Sequence, residues 1–175
     1  MKKIDLFREV LAYLAPIHGN VETELHFQTP FQLLVATVLS AQCTDKRVNM
    51  VTPALFESFP TPVEMSQATP EAIFEYIRSV SYPNAKAKHL VELAKMLVEK
   101  YQGEVPQTLE QLTQLPGVGR KTANVVLAVA FGQAALAVDT HISRVAHRLG
   151  LVPASANTPY KVEMALRKFI PEEDV

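Results

Sequence analysis

The chain has 175 residues, enough for one compact domain or two small lobes around a substantial buried core. Its 48% hydrophobic and 20% charged residues are those of a globular protein, and a formal charge of −1 excludes one that coats nucleic acid by bulk charge. A single cysteine, Cys43, excludes an intrachain disulfide and gives secretion no support.

In the N-terminal stretch Ile4, Phe7, Leu11 and Leu14 recur at helical spacing with acidic residues among them. It reads as an amphipathic helix ending before Pro16, not as a signal peptide. After a loop, Thr29-Pro30 opens a helix whose Phe31, Leu33, Leu34, Val35, Val38 and Leu39 leave little polar surface, a central core helix ending near Gln42. Thr44 caps a third helix to about Ser58, with a kink or split predicted at Pro53. Thr61 to Glu64 has capping-box form, and Thr69-Pro70 starts a helix carrying Ile73, Ile77 and Val80. Ser81-Tyr82-Pro83 interrupts it, and Asn84 is read as the cap of a long helix with Leu90, Leu93, Ala94 and Leu97 inward, closed by Gly103.

Thr108 to Leu115 forms a further helix, broken by Pro116, Gly117 and Gly119, the glycines being expected to turn the backbone through positive φ. A new helix begins at once, so LPGVGRKTANVVL (115–127) is a helix-hairpin-helix. Its turn N–H groups and the positive end of the second helix make a phosphate site, with Lys121 in the first turn. Residues 123–131 are apolar except Asn124, so burial on most sides is expected. A helix over 121–131 travels about 15 Å. An extended return over 134–138 comes back about 16 Å, which brings Asp139 to the level of Lys121. Asp139 then either shares a groove with that lysine or merely caps the helix over 140–149, which Gly150 stops. Thr158-Pro159 opens the last helix and Pro171 ends it. Residues 115–150 hold Arg120, Lys121, Arg144 and Arg148 against Asp139 alone, a local basic face. No stretch alternates with period two, so the class is all-α. The apolar run 123–138 is broken by Asn124, Gly132 and Gln133 and is too short to span a bilayer, so no membrane is expected as a partner and the default location is cytoplasmic.

LPGVGRKTANVVL followed by AVDTHISRVAHR (137–148) resembles the helix-hairpin-helix glycosylases of base-excision repair, specifically the endonuclease III family. LSAQCTD (39–45), TELHFQTPFQLL (23–34) and QGEVP (102–106) agree in the same order, so the resemblance runs from about residue 20 to 171. It implies a two-lobed helical glycosylase fold. One lobe is a helical barrel over 20–115 that includes the first hairpin helix; the other, 1–19 with 116–175, carries the turn and the catalytic residues. DNA lies across the cleft.

The implied activity is a bifunctional glycosylase and apurinic-site lyase for oxidised pyrimidines, acting as a monomer on double-stranded DNA with a damaged base or abasic site, in the bacterial nucleoid. By the match, Lys121 is the nucleophile that forms a Schiff base on C1′ of an extruded nucleotide, and β-elimination then cuts the strand. Asp139 stabilises positive charge on the sugar or passes a proton through water. Gly117, Val118 and Gly119 are assigned to the DNA backbone through their amides, with Arg120 and Arg144 on the same basic face. Gln42 takes the position that fills the gap left by the extruded base, the alternative being a solvated helix-end glutamine. Tyr82 stands where the family has a wedge residue, although Ser81 and Pro83 depart from its glycine-leucine-tyrosine. His141 orients the site or contacts phosphate, or is a capping or buried histidine. Cys43 reads as a packed small residue, and Thr122 and Asn124 as satisfying nearby backbone.

The family continues into a loop whose four cysteines hold a 4Fe-4S cluster. This sequence ends at Val175 with one cysteine, so no cofactor or metal site is expected in this chain, and the chain reads as truncated before the cluster loop, with the Ile4, Phe7 and Leu11 stripe exposed. Two other readings remain: a mismatched-adenine glycosylase, against which Lys121 counts, and a non-catalytic helix-hairpin-helix module that only grips DNA.

Overall fold

The computed structural model describes residues 2–18 and 22–172. The described residues are helical, with no strand among them. They divide into two compact units: Thr23–Gln133, and Met1–Glu22 with Ala134–Val175. This division at 133/134 differs from the expected 115/116, because the second hairpin helix packs on the central helix of the larger unit. The expected 19/20 boundary lies outside the described residues.

The larger unit holds α2 (Pro30–Ser40), α3 (Asp45–Ser58), α4 (Pro62–Gln67), α5 (Pro70–Ile77), α6 (Pro83–Tyr101), α7 (Leu109–Leu112) and α8 (Arg120–Phe131). Helix α2 is its centre: Leu33, Leu34, Val35, Ala36 and Leu39 are wholly inaccessible, and α3, α6 and α8 pack around it. Each fully buried leucine there contributes about 1.5–3 kcal/mol of apolar transfer. Helices α4 and α5 lie against α6, whose Leu90, Leu93 and Leu97 complete the core. Ahead of α2, Asn49 ties down the incoming loop, accepting from His26 N–H at 2.9 Å and donating to Glu24 O at 2.7 Å.

Threonine side chains start most of these helices. Thr29, Thr44, Thr61, Thr69 and Thr108 each accept from a backbone N–H of the first turn, at the starts that the sequence predicts. Helix α3 runs unbroken through Pro53 rather than splitting there, with Thr52 buried and Pro53 exposed. Helix α6 begins at Pro83, not after Asn84: Tyr82 is its N-cap, in a left-handed conformation without a side-chain cap. Helix α7 is only four residues long, shorter than the expected 108–115.

The smaller unit holds α1 (Lys3–His18), α9 (Thr140–Arg148) and α10 (Pro159–Leu166). Its core is Val138, Ala146, Leu151, Val152, Ala156, Val162, Leu166 and Ile170, with Leu6 and Phe7 of α1 packed on it. Phe7 meets Phe169 edge-on at 6.4 Å, so the stripe expected to lie bare is half-covered at Phe7, while Leu11 stays exposed. Helix α1 continues through Pro16, since the proline forfeits only the bond to the carbonyl one turn back. Helix α10 stops at Leu166, ahead of Pro171, and its buried Glu163 accepts from Arg167 Nε at 3.0 Å. No helix among the described residues is long and apolar enough to cross a membrane.

Candidate active site

The hairpin turn lies between α7 and α8. Gly117 has φ +77, and a Cβ there would come within 3.1 Å of His89 on α6, so both the backbone and the packing require glycine. Gly119 is extended at φ −87, not positive as expected, and a Cβ would meet nothing within 4 Å. Its role is therefore not conformational. It leaves the start of α8 bare, without the side-chain cap that a threonine gives α2 or α3.

Val118 differs from the two glycines beside it. Its amide donates to Leu115 O at 3.1 Å and its side chain is buried, so that N–H is spent inside the turn. Gly117 and Gly119 are exposed on either side of it, and their amides donate to nothing among the described residues. The donors offered to a ligand thus alternate along the turn. Arg120 is half-buried and Lys121 exposed at the first turn of α8. Ala123, Asn124, Val126 and Leu127 are buried and Val125, Ala128, Ala130 and Phe131 half-buried, with Val129 exposed, so α8 is covered over most of its surface.

A second cluster of the larger unit joins the end of α2 to the start of α6. Gln42 and Tyr82, both exposed, each adopt φ 54, a left-handed conformation uncommon for residues other than glycine and one that collects at functional sites. Ser81 Oγ donates to Gln42 O at 2.5 Å, so the two predicted DNA contacts are neighbours. Beneath them the buried Lys86 ammonium donates to Leu39 O at 2.8 Å and Ala41 O at 2.7 Å. Burial lowers its pKa from the ordinary lysine value. Lys86, Ser81 and His89 were not singled out from the sequence, although Lys86 stands one turn before Leu90 on the apolar stripe of α6, which is a visible signal.

In the smaller unit, Asp139 is the N-cap of α9: one carboxylate oxygen, Oδ1, accepts from His141 and Ile142 N–H, both at 2.9 Å. Asp139 thus caps α9, through one of its two carboxylate oxygens. Arg144 donates to His141 Nδ1 at 3.1 Å, since a guanidinium has only donors, which turns the other ring nitrogen into an N–H. Asp139, His141 and Arg144 thus form one chain of contacts along the first turns of α9. Cys43 is half-buried in the turn after α2. A four-cysteine cluster finds no fit in these residues: Cys43 is the one cysteine, and no group of three His, Cys, Asp or Glu among the described residues could hold a metal. A groove of about 530 Å³ in the larger unit is lined by Glu71, Glu75 and Glu92 with Lys88 and Lys95, a mixed-charge wall without any candidate residue.

Residues 35–172 match the model of the HhH-GPD superfamily base excision DNA repair proteins. The chain is 48% identical to endonuclease III of Synechocystis over 95% of its length and 75% of that relative, and 46% identical to endonuclease III of Thermotoga maritima over 97% and 75%. The chain belongs to the endonuclease III family. A trapped covalent endonuclease III–DNA intermediate, an estranged-adenine complex, superposes with a TM-score of 0.92 at 45% identity, covering 99% of this chain and 81% of that one. A thermostable thymine-DNA glycosylase at 22% identity shares the fold, with a TM-score of 0.73.

Proposed function

We propose that this protein is a bifunctional DNA glycosylase and apurinic-site lyase that removes oxidised pyrimidines from double-stranded DNA. The observation that carries the reading is the hairpin: two open glycine amides lead into a helix start without a side-chain cap, and the first turn of that helix presents a primary amine. Such a turn holds a backbone phosphate without regard to sequence, so the amine faces a sugar and not a base edge. The covalent DNA intermediate of its structural neighbour supports a nucleophilic route.

The neutral amine of Lys121 attacks C1′ of an extruded nucleotide; the glycosidic C–N bond breaks, and its electron pair leaves with the base, which takes up a proton. Opening of the sugar at O4′ gives a protonated imine between lysine and C1′. That imine acidifies C2′; loss of its proton expels the 3′ phosphate, and water then frees the lysine. To Asp139 we assign the stabilisation of the positive charge that builds on the sugar, or the relay of a proton through water. Gln42 fills the vacated gap, Tyr82 wedges the strands apart, and His141 and Arg144 hold phosphate. The protein acts as a monomer on chromosomal DNA in the cytoplasm.

Borohydride reduction in the presence of abasic-site duplex tests this. The parent protein is expected to form a covalent adduct and Lys121→Ala none; an absence of adduct with the parent would leave only a passive DNA grip.

A further inference from the structure

We propose that Lys86 is a positioning residue, which sets Gln42 and Tyr82 for entry into the DNA by stapling the end of α2 to the start of α6. It rests on the gap-filling role assigned to Gln42 above. A helix ends with carbonyls that no internal N–H can reach, and a chain leaving it in a left-handed turn needs them satisfied. At the end of α2 two side chains from one short segment meet that need. Lys86 Nζ bonds the carbonyls of Leu39 and Ala41, and Ser81 Oγ bonds that of Gln42. Between these two lies Tyr82, whose own carbonyl accepts from the Lys86 N–H at 3.1 Å. The left-handed conformations at 42 and 82 are therefore two faces of one corner, and the cation at the negative end of α2 also favours it electrostatically. A lysine is 6% exposed here because its function is inward. Nothing in the chemistry of the amine at 121 uses it. One turn further along α6, His89 meets Gly117, so the same helix backs both DNA-facing turns of the larger unit.

The test is a double-mutant cycle read by binding to a duplex with a stable abasic-site analogue. Gln42→Ala in the parent is expected to weaken binding about tenfold, the order of one lost hydrogen-bonded contact. Lys86→Met, close in volume but without the ammonium, is expected to weaken it by a similar factor, and Gln42→Ala added to Lys86→Met to cost almost nothing more. Lys86→Arg should recover part of the loss. Equal factors for Gln42→Ala in both backgrounds would overturn the proposal, since a general loosening of the fold leaves the two effects independent. Should Lys86→Met fail to fold, Ser81→Ala removes the neighbouring bond from a half-exposed side chain and must reduce the Gln42→Ala effect in the same direction. Gln42→Ala without effect in the parent points to the gap-filling assignment as the failure and removes the proposal with it, whereas an absent borohydride adduct points to the glycosylase reading.

Discussion

An asparagine at position 139 keeps a side-chain oxygen for the His141 and Ile142 amides while removing the charge. Asp139→Asn should therefore stay folded, melting no more than several degrees below the parent in a calorimeter, yet lose at least about 100-fold in the rate of base excision if the carboxylate acts on the sugar. An unchanged rate would reduce Asp139 to a cap. Gly119 allows the converse separation. With φ −87 and open space beyond its Cα, Gly119→Ser meets no steric objection, and its hydroxyl would cap α8 and raise stability by about 0.3 kcal/mol. The same hydroxyl would take the N–H groups that a phosphate needs, so DNA affinity should fall several-fold in a binding titration. Gly117 permits neither change, because its φ is positive and His89 stands behind it.

Helix starts are the clearest element-level signal in this chain, and their chemistry can be titrated. In α4 the Thr61 side chain holds the Glu64 carboxyl below its ordinary pKa of 4.5, helped by the carboxyl's backbone bonds. A depressed folded value means that the contribution is present above the unfolded pKa and is lost as pH falls through the folded one, hence in the window below 4.5. NMR titration of Thr61→Ala should show Glu64 returning toward 4.5, with the low-pH fraying of α4 no longer distinct from its behaviour at neutral pH. Thr-Pro pairs mark starts at 29, 61, 69 and 158, but Thr52-Pro53 sits inside α3. Thr52 is buried there, and packing outweighs the single backbone bond the proline removes. Tyr82 shows the reverse case: Asn84 has good capping chemistry, yet Pro83 occupies the first helical position and leaves the cap to a tyrosine.

At the scale of the whole molecule a charge of −1 sits beside a run of cations in the hairpin region, so DNA affinity must come from a few placed contacts. Binding should therefore weaken with salt with a modest slope, each phosphate contact adding about 0.9 to it. Arg144→Ala should reduce that slope by about one, measured from association constants across a salt series. An unaltered slope would remove Arg144 from the DNA face. The two compact units also show why a boundary read from the family pattern differs from one set by packing: α8 carries the motif, but its Ala123, Val126 and Leu127 belong to the core around α2.

By itself the sequence determined the helical class, the capped starts at Thr29, Thr44, Thr61, Thr69 and Thr158, the hairpin turn and the amine beside it. Each of these is decided within about four residues, by a side chain reaching its own backbone or by an apolar stripe. Only tertiary structure decided that Lys86 would reach carbonyls 45 and 47 residues away, that Gln42 and Tyr82 would share one corner, and that Val118 would spend its amide inside the turn. Those outcomes depend on which buried donor and acceptor meet once the helices have packed, and spacing along the chain carries no record of that.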